Sequence, residues 1–184
     1  MIARAASESG VKVWDLLVRI GHWSLVTGTA LAWLTHEAGQ WHEWIGYFVL
    51  AVVGVRIVWG MIGSRYARFT QFVRSPACTI EYSRRILAHR EPRHIGHNPL
   101  GGWMIVALLI SITLVGGSGW LYTTEQFWGV QWVEELHEAL ANIMLGLVAL
   151  HIGGVVFSSL RHGENLVRAM IHGRKRAPGP GDIA

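Results

Sequence analysis

The sequence predicts an all-α integral membrane protein, a four-helix bundle with both termini on the cytoplasmic side, and three observations predict it. Of 184 residues, 51% are hydrophobic and ten are Trp, with a mean hydropathy of +0.32, a composition too apolar for a soluble domain of this length. Four apolar stretches, approximately 13–34, 44–62, 100–121 and 136–160, each approach the twenty or so residues that a helix needs to cross a hydrocarbon core of about 30 Å. The basic residues are confined to alternate connections. Together these make residues 1–176 one membrane domain.

The first span follows Arg4 and Lys12 and contains Arg19 near its start. The segment Met1–Gly10 lacks the apolar core and small-residue cleavage site of a signal peptide, so this span is expected to persist in the mature chain. The connection to the second span, Thr35 to Glu43, carries Glu37 and Glu43 and no Lys or Arg. After the second span come Arg65, Arg68, Arg74, Arg84, Arg85, Arg90 and Arg93; after the third, only Glu125, Glu134 and Glu135; after the fourth, Arg161, Arg168, Arg174, Lys175 and Arg176. The positive-inside rule then sets both termini in the cytoplasm. It also explains a pI near 9.7 without a nucleic-acid partner.

Smaller features fit this plan. Trp33, Trp41, Trp44, Trp120, Trp128 and Trp132 flank the outer ends of the spans, as an interfacial aromatic belt does. Ser75 to Leu87 reads either as a basic loop or as an amphipathic surface helix, with Ile80, Ile86 and Leu87 toward lipid and Arg84 and Arg85 toward headgroups. Asn98-Pro99 opens the third span. Cys78 is the one cysteine, which excludes an internal disulfide and a Cys-x-x-Cys-His haem attachment. The Pro- and Gly-rich end, 177–184, is expected to be a disordered tail.

The histidines carry the candidate chemistry. His137 and His151 lie 14 residues apart on the fourth span, hence on one helical stripe and about 21 Å apart. Two imidazoles so placed can each ligate a haem, one near each membrane face. His22 lies about 14 Å inside the first span, near the depth of His151, and His42 opens the second span at the level of His137. The pairs are His22 with His151 and His42 with His137. Two imidazoles on one iron leave no position for oxygen and favour electron transfer. Spacing does not exclude His36, 14 residues after His22; His42 is preferred because it opens a span and because His42-Glu43 echoes His137-Glu138. Structural histidines satisfied by backbone groups are the bland alternative, but ionisable groups at matched depths inside spans are costly to bury. Arg56, 14 residues beyond His42, falls at the inner depth on nearly the same face and is a candidate to hold a haem propionate. Met144, midway between His137 and His151, is expected to pack between the two haems. His89, His94 and His97 read as loop histidines.

The stretches Val13-Trp14-Asp15, Arg19-Ile20-Gly21-His22-Trp23, His42-Glu43-Trp44-Ile45-Gly46 with Arg56, Gly96-His97-Asn98-Pro99-Leu100-Gly101, and Leu136-His137-Glu138 through His151 resemble the prokaryotic cytochrome b561 family, over nearly the whole chain. The resemblance implies two non-covalent b-type haems, stacked across the membrane and ligated at His22, His42, His137 and His151, with His36 not a ligand. It further implies a bacterial inner-membrane protein passing electrons between the quinone pool and a redox partner, a periplasmic cytochrome or a larger enzyme. Short outer loops point to a stand-alone cytochrome. Arg19, His97 and Asn98 are the candidates to assist a quinone on the cytoplasmic side. Two other classes remain at this stage: a non-redox membrane anchor or assembly subunit, and a membrane reductase acting directly on a small oxidant.

Overall fold

The computed structural model describes residues 10–183, so Arg4 and the Met1–Ser9 stretch in which a signal peptide was sought lie outside the described residues. Four long helices dominate: α1 (Leu16–Leu34), α2 (Gln40–Ile62), α5 (Pro99–Tyr122) and α6 (Gln131–His162). Between α2 and α5 lie a single 3-10 turn at Arg65–Ala67, the one-turn α3 (Phe69–Phe72) and α4 (Pro76–Leu87); after α6 comes α7 (Leu166–His172). Two short strands, β1 (Val11–Lys12) and β2 (Arg174–Lys175), pair antiparallel.

Of the four long helices, α2, α5 and α6, with 23, 24 and 32 residues, are long and apolar enough to cross a membrane. The 19-residue α1 is not among them, its mean hydropathy being lowered by Arg19 and His22. Exposed side chains along these helices include Leu34, Ile62, Ile110, Ile143, Leu150 and Leu160, far more apolar surface than water tolerates and what lipid tails require. Trp41, Trp44, Trp128 and Trp132 are likewise exposed near helix ends.

Local sequence explains where the helices start and stop. The Asp15 carboxylate accepts from the Val18 amide at 2.9 Å and so caps α1. Gly39, at φ 53, supplies the left-handed turn between α1 and α2. Ser75 accepts from the Cys78 amide with Pro76 in the first helical position, so the 75–87 segment is a helix. Asn98 accepts from Gly101 at 2.7 Å ahead of Pro99. Asn165 caps α7, and Gly173 in the left-handed conformation ends it.

Contacts divide the chain into two compact units. One comprises Trp59–Met104 with the described residues of Met1–Arg19 and His151–Ala184. Its core gathers Val13, Trp14, Val18, Ala67, Ile95 and Ala169. Around this core Asp15 also accepts from Trp59 Nε1 at 3.0 Å and from the Ser64 hydroxyl, and Arg19 donates to the Ile171 carbonyl. The structure departs here from the disordered tail that composition predicts for 177–184. Ile183 pairs with the backbone of Arg93 and Ile95, and Asp182 meets the Arg93 guanidinium at 2.5 Å. Arg93 is buried and also bonds Glu164 at 2.8 Å, with Lys175 3.6 Å from the same carboxylate. A buried cation with too few anions is costly, and Asp182 supplies one of them, which outweighs the chain entropy that Pro and Gly would otherwise retain.

The other unit comprises Ile20–Val58 and Ile105–Leu150. Glycines bring its helices into close contact: Gly28 of α1 against Val49 of α2, and Gly116 of α5 against Leu50 of α2. Val53, Val133 and Met144 are buried within it.

Candidate functional site

Each histidine singled out by spacing falls on a long helix or its entrance. His42 is in the first turn of α2 and His137 near the start of α6, and their rings meet edge-on with centres 6.0 Å apart and planes at 89°. His42 Nδ1 lies 2.9 Å from the Ala32 carbonyl, and His137 Nδ1 lies 3.0 Å from the Val115 carbonyl. A carbonyl only accepts, so each Nδ1 carries the proton and each Nε2 is left with its lone pair. This is the tautomer that a metal-ligating imidazole adopts, with its second nitrogen tied to the protein. His36, the rival by spacing, is exposed, with Nδ1 3.0 Å from the Trp33 carbonyl at the end of α1.

Three further groups set the His137 ring, and none was singled out from sequence. The buried Ser118 hydroxyl lies 3.0 Å from Nδ1 and donates to the Val115 carbonyl at 2.9 Å. Gly119 leaves room for the ring, since a β-carbon there would stand 3.0 Å from Cε1. The readable signal was the run Gly116-Gly117-Ser118-Gly119 in an otherwise bulky apolar span.

His22 and Arg56 occupy the same unit as this pair, on α1 and α2, and Arg56 is buried at 8% exposure. His151 is half-buried on α6 and belongs to the other unit. In that unit His97 packs between Trp14 and Phe72, with ring centres at 4.5 and 4.8 Å, and Asn98 caps α5. Arg19, His97 and Asn98 thus all have structural employment. His94 stacks on Tyr82 and pairs through its backbone with Ile183. Burial, then the charges of Arg74, Lys175 and His162, hold its pKa down to about 4, so it is neutral at pH 7.

The model of the family described as prokaryotic cytochrome b561 matches residues 13–173. The chain belongs to the prokaryotic cytochrome b561 family. No curated protein and no solved structure matches it. This cytochrome is therefore a b-type membrane electron carrier, and its histidines can be tested as haem ligands. With metal–nitrogen bonds of about 2 Å, two imidazoles on one metal ion put their ring centres roughly 6 Å apart. The 6.0 Å separation of His42 and His137, with both Nδ1 atoms already engaged, fits that requirement.

Proposed function

We propose that this cytochrome carries electrons across the bacterial inner membrane through two b-type haems, between the quinone pool and a redox partner that is periplasmic. The proposed ligands are His42 with His137 on the outer side and His22 with His151 on the inner side. The observation that carries the reading is the His42–His137 pair: perpendicular rings at 6.0 Å, each fixed by a backbone carbonyl. Spacing of 14 residues along the continuous α6 supports His151 as the second ligand on that helix. Arg56, buried in α2, is proposed to hold a propionate, since a guanidinium at that depth calls for an anion. All four long helices are proposed to span as one bundle, with both termini cytoplasmic, on the strength of the distribution of arginines and lysines.

Haem supplies one-electron chemistry when bound, and this chain's residues do the rest. Ala32 and Val115 present their carbonyls to the two Nδ1 protons and orient both rings. By drawing on those protons they make each Nε2 a stronger donor, which favours the oxidised iron. Two protein nitrogens per iron exclude water and oxygen as ligands. No acid, base or nucleophile is required.

The test is the reduced-minus-oxidised spectrum and haem-to-protein ratio of the purified chain. Two b-type haems are expected, with His42→Ala and His137→Ala each losing the same one, His22→Ala and His151→Ala the other, and His36→Ala neither. Absence of a b-haem band would favour the anchor or assembly reading. Cyanide or carbon monoxide binding to the reduced protein would favour a reductase acting on a small oxidant.

A further inference from the structure

The segment between α2 and α5 is built to hold α4 at the membrane surface. The Phe69 ring lies directly on Gly60 in the last turns of α2, and Phe72 packs on Gly102 in the first turn of α5. Trp103 of α5 donates from Nε1 to the Arg74 carbonyl at 3.1 Å, two residues before α4 begins. The entrance to α4 is thereby pinned to the ends of two helices that are apolar and long enough to cross the bilayer.

α4 itself has two unlike faces. Tyr82 is buried, and Thr79, Ser83 and Ile86 beside it are half-buried, so this side faces the protein. On the opposite side Ala77, Ile80, Arg84 and Leu87 form one stripe at helical spacing; Ile80 is 54% and Leu87 82% exposed. Ile86 thus turns inward, not toward lipid. The 63–98 connection holds seven arginines against Glu81 and Glu91. Both glutamates are engaged, Glu81 with Arg85 and Glu91 with Arg161. Arg93 is taken by Glu164 and Asp182. Arg74 and Arg84 remain exposed at the entrance and the centre of the outward stripe.

We propose that α4 is an interfacial helix that binds anionic phospholipid headgroups of the leaflet at the Arg-rich ends of the spans. Ile80 and Leu87 enter the acyl boundary, and Arg74 and Arg84 pair with lipid phosphates. Two exposed leucine- or isoleucine-sized side chains give only marginal adsorption by themselves, so the arginines, each worth about a fivefold preference, decide lipid selectivity. The inference rests on α5 crossing the bilayer.

The experiment uses the haem-loaded full chain in a Cys78→Ser background with a nitroxide at residue 77 on the outward stripe. Its accessibility to oxygen and to a water-soluble nickel chelate is read in nanodiscs of neutral phosphatidylcholine and of a phosphatidylcholine–phosphatidylglycerol mixture. The expected result is burial from the chelate in the anionic discs alone, reversed by Arg74→Gln with Arg84→Gln. Competition between the two lipids for the purified protein, measured by native mass spectrometry, should show a preference of about 25-fold, lost in the double variant. A label open to the chelate in both discs, or buried equally in both, overturns the proposal. A second nitroxide at the exposed Ile110 of α5 reports separately whether that helix lies in the bilayer.

Discussion

Gly119→Ala tests how the protein holds the His137 ring. The added β-carbon would stand 3.0 Å from Cε1 and 3.3 Å from Nδ1 of His137, whereas atoms at their optimal separation stand about 3.5–4.0 Å apart. The ring must give by roughly half an ångström. That is more than the slack in hydrogen bonds of 3.0 Å to Val115 and Ser118, which weaken beyond about 3.2 Å. Losing such a bond costs about 1 kcal/mol, while replacing Gly by Ala inside a helix gains about the same. The two effects nearly cancel in overall stability. They do not cancel at the ligand, where 1 kcal/mol of difference between oxidation states is about 40 mV for one electron. We therefore expect Gly119→Ala to fold and insert normally and to move the midpoint potential of one haem by tens of millivolts, with a changed low-temperature electron paramagnetic resonance signal. Gly117→Ala is the control, because nothing lies within 4 Å of a β-carbon at that position. Wild-type potentials and signals in Gly119→Ala, or equal changes at 117, would refute the reasoning.

Ser118→Ala frees the Val115 carbonyl to bond His137 Nδ1 alone, which strengthens the ligand; one midpoint should fall by about 40 mV or less in a redox titration, with both haems retained. Arg93→Ala strands Glu164 and Asp182 beside a buried Lys175 and should destabilise that unit by about 3–5 kcal/mol, seen as proteolytic release of residues 176–183, with the His42–His137 haem unaffected. Acid should loosen the same unit. His94 has its pKa lowered to about 4 from an ordinary 6.5, so its contribution is complete above pH 6.5 and is lost as pH falls toward 4; at pH 5.5 about 1.4 kcal/mol has gone. Burial raises the Glu164 pKa, but the Arg93 hydrogen bond, the Arg176 amide and nearby positive charge bring it below its ordinary 4.5, so its contribution too disappears only in acid. Amide exchange of residues 93–95, corrected for intrinsic rate, should be about tenfold faster at pH 5.5 than at pH 7 if opening is at equilibrium; no change would remove His94 from the account.

Local patterns were enough to find the helices, because their signals are short-range. Apolar length gave the four long helices, Asp15, Ser75, Asn98 and Asn165 sit at the helix starts that their side chains cap, and Gly39 and Gly173 stand where positive φ is needed. Misjudgement came where a residue's environment is made by distant chain. The Pro- and Gly-rich end looks unstructured by composition, and only the buried Arg93, about ninety residues earlier, gives Asp182 a reason to stay. Ile86 looks lipid-facing on an isolated helix, yet it shares the side of α4 on which Tyr82 is buried.

By itself the sequence determined the kind of protein this is: the number of long apolar helices, the sidedness of its charge, and a histidine repeat at a period that keeps two rings on one stripe. Those properties follow from rise and turn along a single helix, which no packing alters. The tertiary structure alone decided which rings meet. His36 and His42 are six residues apart and equal by spacing, but the turn at Gly39 leaves one exposed on the Trp33 carbonyl and brings the other within 6.0 Å of His137. It alone supplied Ala32, Val115, Ser118 and Gly119 as the groups around those rings. A partner 22 residues away or on another helix leaves no period in the sequence, because side chains meet across helices through packing and not through spacing along the chain.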